Sequence, residues 1–296
     1  MGRFEINEEY ELIRKKSVRQ MFIAVGIAVV GVLVSISSFN FVLIIPTAIV
    51  AIIFFGLSSK TFKEYKLKII EIFERDILAK HFFEYQFYGD RGIARDVIAD
   101  TELLSMGNRY YSNDLLIGKY KDVSFLRSDV HIQNETSDGK NTTTVTYFKG
   151  QWYEFDFYKN FDVYLQIRDK GEKFFKRNFK PQKFFSKRPN AKRIKLDHPE
   201  FNEIYDVYTS DEQQAYYILT PHFMDRLIRF NYDNSGEIVM GFLDNKLFIS
   251  IYNNTDKFHI AKMKPFDQDS FSQLENDVLF IKEIIDELKL DLDIFK

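Results

Sequence analysis

Acid–base and metal chemistry near neutral pH draw first on histidine, and this chain has five: His81, His131, His198, His222 and His259. No two stand at a metal-ligand spacing, and no His-Glu-x-x-His pair occurs. With no cysteine at all, thiolate nucleophiles, thiolate metal sites and disulfide frameworks are excluded. A Gly-x-Ser-x-Gly elbow, a Walker A loop and a Gly-x-Gly-x-x-Gly fingerprint are also missing. Asp206, Asp211, Glu212 and Asp225 could meet in space, but among 43 acidic residues proximity by chance is expected. No catalytic, cofactor-binding or metal residue is assigned on these grounds. An enzyme with an unrecognised active site stays open as an alternative.

The one unusual composition is Arg168–Lys195. It holds 12 Lys or Arg against Asp169 and Glu172, with Phe174, Phe175, Phe179, Phe184 and Phe185 between them. Three readings fit it. The plainest is a solvated linker whose rings pack inward. A second is docking on anionic lipid, where each basic residue near the surface gains about 1 kcal/mol; Lys176, Arg177, Lys187 and Arg188 are then the contacts. The third, single-stranded nucleic acid, needs charges and stacking rings, but 41 basic against 43 acidic residues show no global bias that way.

What must carry any such site is set by an apolar run. From Met21 to Ser59, 39 residues pass without Asp, Glu, Lys, Arg or His. One helix of that length rises about 58 Å, nearly twice a hydrocarbon core of about 30 Å. Two helices, about 21–38 and 42–59, each span about 27 Å at 1.5 Å per residue. The Ser37-Ser38-Phe39-Asn40 break then makes the turn. In the first stretch Ala24, Ala28, Gly31 and Ser35 form a stripe of small residues suited to close helix approach. Arg14, Lys15, Lys16 and Arg19 precede the run, and Lys60, Lys63, Lys66 and Lys68 follow it. By the positive-inside rule both termini are cytoplasmic and the chain is a two-span protein of the cell membrane.

The remainder predicts an α+β architecture. A cytoplasmic segment 1–20 and the transmembrane hairpin 21–59 lead into a stem helix 60–87, where Phe62, Tyr65, Ile69, Phe73 and Ile77 recur at helical spacing. A cytoplasmic domain 88–296 follows, with antiparallel strands, packed helices and a basic linker near 168–195. Strand-like runs occupy about 98–167, with turns at Asn134–Asn141 and at Lys149-Gly150-Gln151. Ser210-Asp-Glu-Gln213 has capping-box form. Thr220-Pro221 opens a helix, Asp244-Asn245-Lys246 marks a hairpin, and Phe271, Leu274, Val278, Ile281, Ile285 and Leu288 give a terminal helix one apolar face, read as lying on the sheet rather than as a coiled-coil seam.

The run Arg193-Ile-Lys-Leu-Asp-His-Pro-Glu-Phe-Asn-Glu-Ile-Tyr-Asp-Val-Tyr-Thr-Ser-Asp, with Ala215-Tyr-Tyr-Ile-Leu-Thr-Pro-His-Phe-Met-Asp-Arg-Leu, resembles the bacterial DUF3137 family. Phe148-Lys-Gly-Gln-Trp and Phe242-Leu-Asp-Asn-Lys-Leu-Phe-Ile-Ser-Ile are similar to its other recurrent stretches. With the double apolar run, the resemblance extends over most of residues 20–290. The family is named for its unknown function, so the resemblance implies architecture and supplies no catalytic residue. It suggests a LemA-type membrane protein as a partner. The matched residues also have structural uses: Thr220-Pro221 starts a helix, Phe201 and Tyr205 bury against it, and Gly150 relaxes a turn. The function these readings support is a non-enzymatic binding or scaffold module tethered to the inner membrane face.

Overall fold

The computed structural model describes residues 8–156, 164–170, 190–233, 236–258 and 260–291. In chain order the elements are helices α1 (Glu8–Ser37) and α2 (Ile44–Phe73), strand β1 (Glu84–Tyr88), helix α3 (Arg95–Thr101), and strands β2 (Arg109–Tyr120), β3 (Val123–Ser137), β4 (Thr142–Asp156), β5 (Leu165–Asp169) and β6 (Lys192–Ile194). Helix α4 (Pro199–Ile204), strand β7 (Tyr205–Thr209) and helices α5 (Glu212–Ile218) and α6 (Pro221–Asp233) follow. The hairpin β8 (Glu237–Leu243) and β9 (Lys246–Tyr252) and helix α7 (Gln268–Leu288) complete them. The described residues form two compact units. One holds those up to Leu78 with those between His259 and Asn276; the other holds Ala79–Phe258 and the residues from Asp277 onward.

In the first unit, α1 and α2 pair as an antiparallel hairpin through the turn at Ser38–Asn40, where Phe39 takes a positive φ of 52°. The seam is made of small side chains. Ser17, Ala24 and Gly31, seven residues apart, are buried together with Ser35. Added at Gly31, a Cβ would stand 2.3 Å from Thr47 Oγ1, so only glycine permits this approach. The stripe read from sequence is corrected at Ala28, which is exposed. A seven-residue repeat follows a narrow seam between aligned helices, and Ala28 turns out of it. Large side chains point outward instead: Val29, Val30, Leu33, Ile45, Ile49 and Ile52 are each more than half exposed. This is the inverse of a water-soluble helix pair.

All six hydroxyls between Met21 and Ser59 donate within the chain. Ser35 reaches the Gly31 carbonyl (2.7 Å), Ser37 and Ser38 that of Val34 (3.1 and 2.6 Å), Thr47 that of Leu43 (3.0 Å) and Ser59 that of Phe55 (3.0 Å). Ser58 donates to the Ser17 carbonyl (2.7 Å) while Ser17 donates to that of Ser58 (2.8 Å), a reciprocal clasp at the base of the hairpin. Lipid offers no acceptor, so internal satisfaction is what a spanning segment requires. Two helices long and apolar enough to cross a membrane thus support membrane association.

The helical stretch after Ser59 buries Tyr65, Ile69, Ile72 and Phe73, then widens into a π turn at Glu74–Leu78. It ends at His81, earlier than the spacing predicts. Glu84–Tyr88 is strand, because Tyr85 and Phe87 sit at alternate positions that pair with β2.

The second unit is built on a nine-stranded sheet in the order β1-β2-β3-β4-β9-β8-β5-β7-β6, every pair antiparallel. One face carries Val130, Ile132, Phe148, Trp152, Val239 and Phe248, packed with Ile93, Ile98, Leu103 and Leu104 from α3 and its flanks. The other is covered by α6 and the later part of α7. The Phe223 ring meets Phe242 (6.1 Å between centroids), and Phe280 meets both Tyr153 (5.7 Å) and Phe230 (5.8 Å). Val278, Ile281, Ile285 and Leu288 are buried within the chain, as expected of a helix lying on the sheet. Asp244 and Asn245, both with positive φ, form the two-residue turn between β8 and β9.

The expected turn at Lys149–Gln151 is absent. β4 runs unbroken from Thr142 to Asp156, with a register shift opposite Ile132/Gln133. Gly150 serves close approach rather than turning, since a Cβ there would lie 1.9 Å from the Ile251 carbonyl oxygen. Gly150→Ala is expected to force β4 and β9 apart and lower unfolding free energy by about 1–3 kcal/mol. Gly56→Ala, with nothing within 4 Å, leaves it unchanged; denaturant unfolding monitored through Trp152 distinguishes the two.

Candidate functional site

Among the described residues that sequence singled out, His198, Asp225 and His222 come together and the others are dispersed. Asp211 caps α5 by accepting from the Gln213 and Gln214 amides (2.9 and 3.2 Å). The cap is therefore Asp211, not Ser210. Glu212 pairs with Lys192 (3.4 Å), and Asp206 pairs with Arg193 and Lys170. His131 lies on β3 beside the Tyr111 ring, its pKa lowered by burial and by Lys149. His81 ends the helical stretch before β1, and His222 lines an open groove. His259 and the four basic residues Lys176, Arg177, Lys187 and Arg188 lie outside the described residues.

His198 and Asp225 form the one His–carboxylate pair of the motif stretch. His198 Nδ1 accepts from the Phe201 amide (3.2 Å), capping α4, which fixes the proton on Nε2 and directs it to Asp225 (3.0 Å). Both ring nitrogens thereby make structural hydrogen bonds. Around this clasp Phe201 is buried against the Tyr205 ring (4.9 Å), and the Tyr205 hydroxyl donates to the Leu227 carbonyl (3.0 Å). Thr220 Oγ1 caps the Phe223 amide (3.3 Å). The Pro-Glu-Phe and Thr-Pro-His-Phe-Met runs are thus the two halves of a clamp between α4 and α6. Beside it, Glu200, His222, Asp225, Arg226, Arg229 and Tyr232 line a shallow groove of about 430 Å³. Cations and anions are mixed along it, and they favour no single ligand charge.

A denser concentration of charge lies buried on the α7 face of β3 and β4. Arg127 and Asp129, two apart on one strand, share the face toward α7 and form a two-pronged pair, Nη1–Oδ2 2.7 Å and Nη2–Oδ1 3.0 Å. Gln151, opposite Asp129, donates from Nε2 to Asp129 Oδ1 (3.0 Å) and is itself held by Asn253 (2.6 Å). The Phe258 ring caps the guanidinium, 4.2 Å from Cζ. Burial opposes the Arg127 charge, yet Asp129, Tyr153 and Asp277 outweigh it and raise its pKa. Asp277 on α7 pairs with Lys257 (3.1 Å), but burial raises its pKa against both cations. The Tyr153 hydroxyl, pushed up by the same burial, stays protonated.

Asp114 and Asp256 bring their carboxylates toward Asp129, all three within 4.8 Å. Asp114 reaches there through a register shift in β2 between Asn113 and Leu116, with φ of 55°. The donor set is all oxygen, of the kind hard cations use. Its central member, however, is already paired with the Arg127 fork and accepts a hydrogen bond from the Gln151 amide. The arrangement reads as a structural ion centre fastening the sheet to α7. Its sequence signal is the Arg-x-Asp spacing between the apolar pairs Phe125-Leu126 and Val130/Ile132 of β3, with Gln151 and Tyr153 opposite.

Arg127→Met leaves the buried Asp129 beside Asp114 and Asp256 without its cation and is expected to cost about 3–5 kcal/mol, much of it recovered in the Arg127→Met/Asp129→Leu double variant. Chemical denaturation of the two variants checks this. For Asp277 the folded-state pKa exceeds the ordinary 3.8, so its contribution to stability is full below 3.8 and lost as pH rises through the folded value. Wild type therefore gains on Asp277→Asn as pH falls from neutrality towards 3.8, a trend read by measuring both unfolding curves across that range.

A search of curated proteins finds no match. Among solved structures, the crystal structure of the mycobacterial trehalose monomycolate transport factor A, TtfA, aligns with 69% of this chain and 88% of its own at 10% identity and a TM-score of 0.34. That likeness is too slight to carry a role across. The family model described as "Protein of unknown function (DUF3137)" matches residues 146–290, a narrower stretch than the resemblance read from sequence. It contains β5–β9, the α4–α6 clamp and the whole of α7. Residues 146–290 of this chain belong to DUF3137.

Proposed function

We propose that the chain is an integral membrane protein in which a two-span hairpin tethers a non-enzymatic binding or scaffold domain to the inner face of the membrane, with both termini cytoplasmic. The observation that carries this reading is the outward-facing apolar surface of α1 and α2 around a seam of Ser17, Ala24, Gly31 and Ser35. Only a hydrocarbon solvent accommodates that pattern without cost. Orientation rests on Lys and Arg: four precede the uncharged run closely, four follow it, and the Ser37–Asn40 turn carries none. A scaffold role is supported by how the charged groups of the DUF3137 stretch are used, since His198, Asp225 and Asp211 cap or clasp helices and leave no base poised over a cavity.

Alkaline extraction of membranes, combined with labelling of single cysteines in this cysteine-free chain, tests the tether. Phe39→Cys should react from outside intact cells, Lys68→Cys only after permeabilisation, and the protein should stay in the membrane pellet. Release into the supernatant, or the opposite labelling, overturns the tether. Purification in mild detergent should retain a partner in constant ratio; a monodisperse protein with no reproducible partner overturns the scaffold role.

A further inference from the structure

Residues 260–266, Ile-Ala-Lys-Met-Lys-Pro-Phe, belong to the same unit as the helical hairpin and close across its base. Two fastenings hold this strap. Lys262 Nζ donates to Ser58 Oγ (2.6 Å), the Lys262 carbonyl accepts from Arg14 Nη1 (3.2 Å), and Arg14 is itself held by Glu11 (2.9 Å). Four residues on, the buried Phe266 amide donates to the Tyr65 hydroxyl (3.2 Å). Between the fastenings the chain arches outward, and Met263 is 56% exposed with Lys264 beside it.

Depth decides what that arch meets. Ser58 is the last but one residue of the uncharged run, and its clasp partner Ser17 lies four residues before the run begins. Lys262 therefore sits where hydrocarbon gives way to headgroups. Exposed cations surround the same level: Lys15, Lys16 and Arg19 on α1, and Lys60 and Lys63 on α2. Among the described residues, neither Lys262 nor Lys264 makes an ion pair. An apolar side chain between two lysines, held at that level and facing away from the protein, suits neither water nor hydrocarbon, but it suits the boundary.

We propose that the 260–266 strap is an interfacial lipid-binding element: Met263 enters the acyl boundary while Lys262 and Lys264, with the surrounding cations, take the phosphates of anionic lipid. The proposal rests on the membrane reading above. It gives the DUF3137 stretch a direct contact with the bilayer, separate from the basic segment 168–195.

The full chain carrying Met263→Cys, labelled with an environment-sensitive fluorophore, is placed in discs of phosphatidylcholine alone or with phosphatidylglycerol, each doped with a lipid bearing a shallow nitroxide. A Val29→Cys label with a deep nitroxide reports on the hairpin. The Met263→Cys label should be blue-shifted and quenched, roughly two-fold more in the anionic disc. Lys264→Gln should reduce that excess, and Lys262→Gln with Lys264→Gln should abolish it. If the Val29→Cys label is quenched while the Met263→Cys label is not, or is quenched equally in both discs, the strap proposal falls and the membrane reading stands. If neither label is quenched, the membrane reading falls as well.

Discussion

Large apolar side chains that face away from the protein need a solvent that will take them, and α1 and α2 present such side chains over most of their surface. The hairpin can do so because what it keeps inside is small. Gly31 meets Thr47 with no room for a methyl group, and the Ser17–Ser58 clasp closes the base. Each hydroxyl in the run returns its hydrogen to a backbone carbonyl, which removes the polar debt that would otherwise expel the helices from hydrocarbon. The charged residues on either side of the run then fix where that packing must stop.

The second unit solves a different problem. Its sheet buries charge as well as rings, and Arg127 with Asp129 is the clearest case. A guanidinium and a carboxylate enclosed together are stable only if the remaining polar positions are met, and Gln151, Asn253 and the Phe258 ring supply most of that surround. The pair contributes register more than raw stability: it fits one alignment of β3 with β4 and one placement of Asp277 on α7. The His198–Asp225 clasp does similar work between α4 and α6.

Much of this was legible as pattern. The uncharged run, the helical spacing through Ile77, the α7 face and the Asp244-Asn245 turn each follow from a local rule about period or positive φ, and the structure keeps them. The misreadings share a cause. Lys149-Gly150-Gln151 looks like a turn because glycine often marks one, yet this glycine answers to the Ile251 carbonyl of another strand. Ala28 belongs to the small-residue stripe by spacing, yet the repeat that governs the seam is set by how two helices align. Phe83 to Phe87 continues a helical run, but pairing with β2 outweighs that propensity.

Sequence by itself determined which segments are apolar and where charge brackets them, because hydrophobicity and charge are properties of the residues in each stretch. The tertiary structure alone decided which charges are buried together. Arg127, Gln151, Asp256 and Asp277 lie on separate elements, and nothing in their spacing along the chain says that they meet. That meeting depends on strand register and on the placement of α7 over the sheet. Both arise from the summed packing of many side chains, and no single stretch of residues encodes them.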